Sequence, residues 1–260
     1  MGLLLSEWLK TKRTAMRWMT FAMPMVFSLA VIAYAALRTD CTQNLVFQVF
    51  FEAWTAFVIP LYVSVMAAFI IQEEEQAGVF MGFLSTSISR NKLYLGKFLL
   101  LFLCMTISTM IALITLSIGI NFILPGGINS LIFTSAAILV IFGTLPLPAL
   151  HLWISFAWGT GASIGVGMSE LVIAALIGTT ELGDKIWMLI PWAWPSRLAK
   201  LPGTYLNFTP DMQTPPVEIA SGSIFSQLST GSIMVIICLI VLIIGGVIWF
   251  NKWEGRKHYE

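Results

Sequence analysis

Apolar residues fall into runs separated by short polar breaks, and each run is long enough to cross a bilayer of about 30 Å. The pattern predicts spans at 18–37, 53–72, 98–120, 131–157, 162–180 and 231–250. The middle three are read from breakers. From Phe98 to Ser169 there is no Asp, Glu, Lys or Arg over 72 residues, several times the roughly 20 that one spanning helix needs. The chain must turn back inside that stretch. Asn121 with Pro125-Gly126-Gly127, and Trp158-Gly159-Thr160-Gly161, mark the turns. Pro146 and Pro148 predict a kink in the fourth span. The last span is the most apolar, with thirteen Ile, Leu, Val or Phe residues between Ile233 and Phe250.

Polar segments complete the pattern. Residues 1–17 set Leu5, Trp8 and Leu9 against Lys10, Lys12, Arg13 and Arg17, which predicts an amphipathic helix lying in the membrane interface. Ala33-Tyr34-Ala35 has the small-x-small form of a cleavage site, but a twenty-residue run suits a retained span better than a signal peptide. Residues 73–97 form the long central loop. It opens on Glu73, Glu74 and Glu75, carries Val79, Phe80, Phe83 and Leu84 at helical spacing, and closes with Arg90, Lys92 and Lys97. Residues 181–230 form a second polar segment. Trp187, Trp192 and Trp194 with Pro191 and Pro195 suit an interface, where two short helices dip into the outer leaflet and present an aromatic rim or an anchor. A Pro-rich link (Pro210, Pro215, Pro216) follows, and Asn207-Phe208-Thr209 fits a glycosylation acceptor. With the N-terminus inside, ten Lys and Arg residues lie on the inner side and four outside (Arg38, Lys185, Arg197, Lys200), so both termini and the 73–97 loop are expected in the cytoplasm.

Composition narrows the function. The chain is 58% hydrophobic and 10% charged, against about 25% charged in soluble proteins. A net charge of +1 gives no reason to expect nucleic acid. Cys41, Cys104 and Cys238 are an odd set without paired spacing, so neither a disulfide framework nor a metal site is indicated. No H-E-x-x-H, G-x-S-x-G or Walker A loop is present, so the chain does not bind and hydrolyse ATP by itself. The paired glutamates suggest an intramembrane peptidase with an E-E-x-x-x-R motif, but Gly78 or Val79 stands where the arginine would be. His151 reads as a satisfied core residue. In the fifth span seven Leu, Ile or Val residues favour insertion by about 2–4 kcal/mol, nearly cancelled by Glu170 at about 3 kcal/mol. Gly161 and Gly165, four apart after Ala157, permit close backbone approach. This helix is therefore expected inside a larger assembly, with Glu170 toward a partner subunit or polar cavity, or else protonated against neighbouring backbone.

The central stretch resembles the ABC-2 family of ABC-transporter permeases. That family has a cytoplasmic loop of the form E-x-E…G-[TV]-x-x-x-L-L…P-[IV]-S-R followed by a Lys entering span three. The chain offers Glu73 and Glu75, Gly78-Val79, Phe83-Leu84, Ile88-Ser89-Arg90 and Lys97, and departs at Ser87, where a proline is common. The length and the PWAWP outer segment look most like lantibiotic-immunity permeases.

The resemblance implies an all-α polytopic fold of the type V exporter kind: six transmembrane helices, an N-terminal interfacial helix and short re-entrant outer helices before the last span. It implies two copies of a separate ATPase carrying ATP and Mg, a second permease subunit, similar or different, and an amphipathic peptide substrate in a bacterial plasma membrane. Glu73, Glu74, Glu75, Val79, Phe80, Phe83, Leu84 and Arg90 would then couple to the ATPase. The acids would equally suit the N-terminus of a cytoplasmic helix. Alternatives are an ABC-2 permease for a drug or lipid-linked amphiphile, or a secondary transporter working through Glu170, which the lack of an inverted repeat disfavours.

Overall fold

The computed structural model describes residues 2–12, 14–77, 80, 88–208, 212 and 216–255, and every regular element among them is helical. A short α1 (Gly2–Lys10) leads into five helices long and apolar enough to cross a membrane: α2 (Ala15–Ala36), α3 (Gln43–Gln76), α4 (Arg90–Ile120), α5 (Ser130–Trp158) and α6 (Thr160–Gly178). Beyond α7 (Trp194–Gly203) and the single-turn α8 (Val217–Ala220) comes a sixth such helix, α9 (Ser223–Lys252).

The helices outrun the apolar runs. α3 starts at Gln43, ten residues before the expected boundary, and takes Glu52 inside it. At its other end it continues through Glu73, Glu74 and Glu75 to Gln76, consistent with glutamate being a good helix former. The 73–97 loop is correspondingly shorter, because α4 begins at Arg90 and carries Lys92 and Lys97 on the helix. At 1.5 Å per residue, the 34 residues of α3 reach about 50 Å, well beyond the hydrocarbon core.

Prolines shape two of the helices. Pro60 lacks an N–H and would clash with the carbonyl one turn back, and the α3 backbone widens into a π-turn at Trp54–Val58 just before it. In α5 the regular ladder breaks at Leu145, immediately ahead of Pro146 and Pro148.

α3 is the central helix. Of its apolar window 72% is buried within the chain, against 28% for α2 and α6 and 17% for α9, so those three present most of their apolar surface outward. α2 packs along α4, α3 lies against α6 and the second half of α5, and α9 crosses that half of α5 and α4. Buried polar ties pin these contacts: Ser28 Oγ donates to the Ala112 carbonyl at 2.7 Å, and Trp54 Nε1 donates to Thr109 Oγ1 at 3.2 Å.

We call proximal the end where α1, the α3–α4 connection and the end of α9 meet, and distal the opposite one. The distal end is closed by the segment after α6. α7 packs along the first half of α5 with Trp194, Leu198 and Ala199 buried. Its cations close the end of α6: Arg197 donates to the Ile177 and Thr180 carbonyls, and Lys200 to the Thr179 carbonyl at 2.8 Å. These are orphan carbonyls that the helix itself leaves unpaired.

Candidate functional site

Four charged side chains close a ring at the proximal end. Lys97 Nζ donates to Glu7 Oε2 at 2.9 Å and Glu74 Oε1 at 2.8 Å, while Lys10 Nζ reaches Glu7 Oε1 and the same Glu74 oxygen, each at 2.7 Å. Charges alternate around the ring and sum to zero. Three elements contribute: α1 gives Glu7 and Lys10, the end of α3 gives Glu74, and the first turns of α4 give Lys97. The ring is unevenly buried, with Lys97 1% exposed and Lys10 about half exposed. Partial burial pulls the Lys10 ammonium down, yet hydrogen bonds to Glu7 and Glu74 outweigh it and hold its pKa above the ordinary lysine value. A buried charge without a partner is strongly destabilising, so the ring holds α1 against the α3–α4 connection. Arg17 adds a second tie, donating to the Trp8 carbonyl at 3.2 Å with its guanidinium 4.8 Å from the Trp8 ring centroid.

The same connection is fastened to the last span. Phe80 is buried and lies edge-on to Trp253, with ring centroids 4.9 Å apart, beside Phe156 of α5. Its backbone has φ +66°, an uncommon conformation for a bulky residue that the surrounding packing must hold in place. Arg90 donates to the carbonyls of Asn251 and Trp253 at 3.0 and 2.6 Å, which places a cation at the negative end of the α9 dipole.

A second polar cluster lies in the middle of the bundle. His151 of α5 places Nε2 2.9 Å from Glu170 Oε2 and Nδ1 3.0 Å from Ser163 Oγ, both on α6. Ser163 spends its own proton on the Ser64 carbonyl of α3 at 3.0 Å. With that hydroxyl spent on Ser64, Nδ1 is the donor toward Ser163, and Nε2 is held against the Glu170 carboxyl group. The two buried polar groups thus satisfy one another inside the bundle, as a low-dielectric interior requires. Glu170 Oε1 has no partner among the described residues. Gly167 lies on the same face, and a Cβ there would collide with the Ser64 side chain and come 3.2 Å from the Pro60 carbonyl oxygen, so this glycine sets the α3–α6 spacing.

Several expected roles are corrected by these placements. Glu170 is 1% exposed and turned into its own chain, where His151, not neighbouring backbone, supplies the polar contact it needs. Phe80, expected on a face offered to another subunit, is an interior anchor, and Arg90 is engaged by the end of α9. Trp187 and Trp194 are buried in the distal cluster, Trp194 Nε1 donating to the Met188 carbonyl at 3.1 Å, and only Trp192 is part-exposed among the three. They hold the cap together and do not form an open rim. Gly161 and Gly165 face outward with nothing within 4 Å. Glu73 and Glu75 are half-buried on the last turn of α3. Val79, Phe83 and Leu84 lie outside the described residues, as do Ser87, Thr209, Pro210, Pro215, Arg256, Lys257 and His258.

Sequence reading did not single out Glu7 or Lys10 as site residues. The available signal was a lone acid in an otherwise basic N-terminal segment, together with a lysine seven residues into an apolar helix. No curated protein sequence matches the chain. Residues 3–176 match the family model described as ABC-2 family transporter protein, a stretch that runs from α1 through the ring and the His151–Glu170 couple almost to the end of α6, and the chain therefore belongs to the ABC-2 family.

Proposed function

We propose that this membrane permease works in an ABC exporter that removes amphipathic antimicrobial peptides from a bacterial plasma membrane, in the manner of lantibiotic self-immunity. An ABC-2 permease is a transport subunit driven by a separate ABC ATPase. In this proposal two ATPase copies and a second permease subunit complete the complex, with ATP and Mg held by the ATPase. The proximal end faces the cytoplasm, as the excess of Lys and Arg on that side supports.

The observation that carries the coupling half of this reading is the charged ring. It fastens α1 to the α3–α4 connection, while Phe80 and Arg90 fasten the same connection to α9. A push delivered to the connection is thereby shared by α3, α4 and α9. ATP binding would act as a population shift, favouring whichever helix arrangement makes better contacts with the closed ATPase. Glu73, Glu75, Val79, Phe83 and Leu84 are the proposed contact residues. The peptide half rests on the resemblance of the outer segment and the chain length to lantibiotic-immunity permeases.

Proteoliposomes holding the permease with its ABC ATPase test the reading. A fluorescently labelled cationic lanthipeptide should leave the membrane on ATP addition, and Phe83→Asp should abolish this while the complex still assembles. Peptide release that ignores ATP would overturn the proposal.

A further inference from the structure

A groove of about 610 Å³ runs at the distal end between the first turns of α5, the end of α7 and the start of α9. Its size falls among those of small-molecule sites, about 300–1,000 Å³. Leu201 lies at its base, while Ile132, Leu139, Ile224 and Leu228 line it and are part-exposed, so the groove is open and not filled by its own side chains. Leu139 lies ten residues beyond Asn129, the N-cap of α5, about 15 Å along the helix. That is the depth of one leaflet of a hydrocarbon core about 30 Å thick.

At Asn129 and Tyr205 the groove meets a second cleft, of about 500 Å³, which these two residues also line together with Thr42, Gln43 and Asn207. Local hydrogen bonds fix the chemistry of three of these side chains. Gln43 Oε1 accepts from the Asn129 backbone N–H at 3.1 Å, Asn129 Oδ1 accepts from the Ile132 N–H at 3.3 Å, and Thr42 Oγ1 accepts from the Leu45 N–H at 3.2 Å. The oxygen end of each carboxamide is thus committed. The amide donors of Gln43 and Asn129 and the Tyr205 hydroxyl have no partner among the described residues.

No Asp, Glu, Lys or Arg stands among the described residues lining either space. A phosphate head group is recognised by Arg or Lys, and an ammonium by a carboxylate, so a charged head group finds no counter-charge here. Hydroxyl groups both donate and accept, as the carboxamides and Tyr205 together do. Donors already held in place also lower the ordering cost of binding.

We propose that groove and cleft form one site for a neutral glycolipid of the distal leaflet. An acyl chain lies along α5 from Ile132 to Leu139 against α9, and sugar hydroxyls accept from Gln43, Asn129 and Tyr205. The site is independent of what the complex exports. A groove that takes no glycolipid would leave the peptide reading standing, and failure of peptide export would leave this site standing.

The test places the permease with its ABC ATPase in phosphatidylcholine nanodiscs without ATP or peptide. Each nanodisc batch carries one lipid with a photoactivatable diazirine in its acyl chain: monoglucosyl diacylglycerol, phosphatidylglycerol or phosphatidylcholine. Cross-links are mapped by peptide mass spectrometry, and labelling at 131–139 is divided by labelling at the outward residues Ile236, Ile240 and Ile244 of α9. The glucolipid should exceed both phospholipids in this ratio by about fivefold, as one or two added hydrogen bonds allow. Tyr205→Phe, at an exposed position, should lower the preference, and adding Asn129→Ser, which keeps an oxygen for the helix cap, should erase it. Ser135→Trp fills the groove and should remove labelling at 131–139 by all three lipids while the α9 reference keeps its label. Equal ratios for the three lipids, a higher ratio for phosphatidylglycerol, a preference unchanged in the double variant, or groove labelling that persists in Ser135→Trp would overturn the proposal.

Discussion

Lys97 and Glu74 stand 2.8 Å apart across the α3–α4 connection, and the lysine is 1% exposed. Its other carboxylate partner comes from α1, ninety residues earlier. Removing Lys97 leaves Glu7 and Glu74 to share Lys10 alone, one negative charge in excess at a largely buried site, and breaking a buried pair in this way costs about 3–5 kcal/mol. Lys97→Met should therefore lower the thermal midpoint of the detergent-solubilised protein sharply, or prevent its accumulation. Lys10→Ala, at the half-exposed corner of the same ring, should cost less than about 1 kcal/mol. Equal losses in both variants would show that the ring is not organised around Lys97.

The α3–α6 spacing yields a paired test. Gly167→Ala drives a methyl group into Ser64, and overpacking of this kind costs about 1–3 kcal/mol. Ser64→Gly in the same chain should recover much of that loss, since it removes the atoms that collide. Gly161→Ala has open space within the chain and should leave the isolated permease unchanged. Thermal unfolding of the four proteins measures the coupling, and additive losses at positions 64 and 167 would contradict the contact.

The number and order of the spans could be read from runs and breakers, because burial in lipid needs only length and apolarity, and both are local. What could not be read depends on partners distant in sequence. Glu52 looks like the edge of an apolar run until Lys200, 148 residues later, reaches it. Glu7, Glu74 and Lys97 form one object only after α1 folds back on the bundle. Trp187 and Trp194 carry a composition that suits a membrane interface equally well as a packed cap, and only the return of α7 onto α5 decides for the cap. Glu170 was recognisable as costly, but its relief by His151 joins two helices that meet at a turn, where the facing register is set by packing.

The end of α9 makes a local prediction. Arg90 donates to the Asn251 and Trp253 carbonyls, and a cation at a helix C-terminus contributes about 0.3–1 kcal/mol. Arg90→Ala should loosen that end first. Hydrogen exchange of the amides at 250–253 should accelerate several-fold, while amides near Val235, which is fully buried, keep their rates. Unchanged exchange at the α9 end would remove Arg90 from this role.

The His151–Glu170 couple separates a structural carboxyl from a transporting one. A glutamine at 170 can still donate to Nε2, so Glu170→Gln should keep the fold within about 1 kcal/mol. Glu170→Ala leaves Nε2 buried without a partner and opens a void, which should cost about 1–3 kcal/mol for the lost polar contact alone. If the carboxyl only fastens α6 to α5, the glutamine variant should expel substrate at the wild-type ATP-driven rate and show no new dependence on a proton gradient. A glutamine variant that is as stable as wild type yet transports nothing would mean that the ionisable carboxyl group itself takes part in the cycle. The decisive measurement is therefore the pair of values, thermal midpoint and transport rate, taken on the same purified variant.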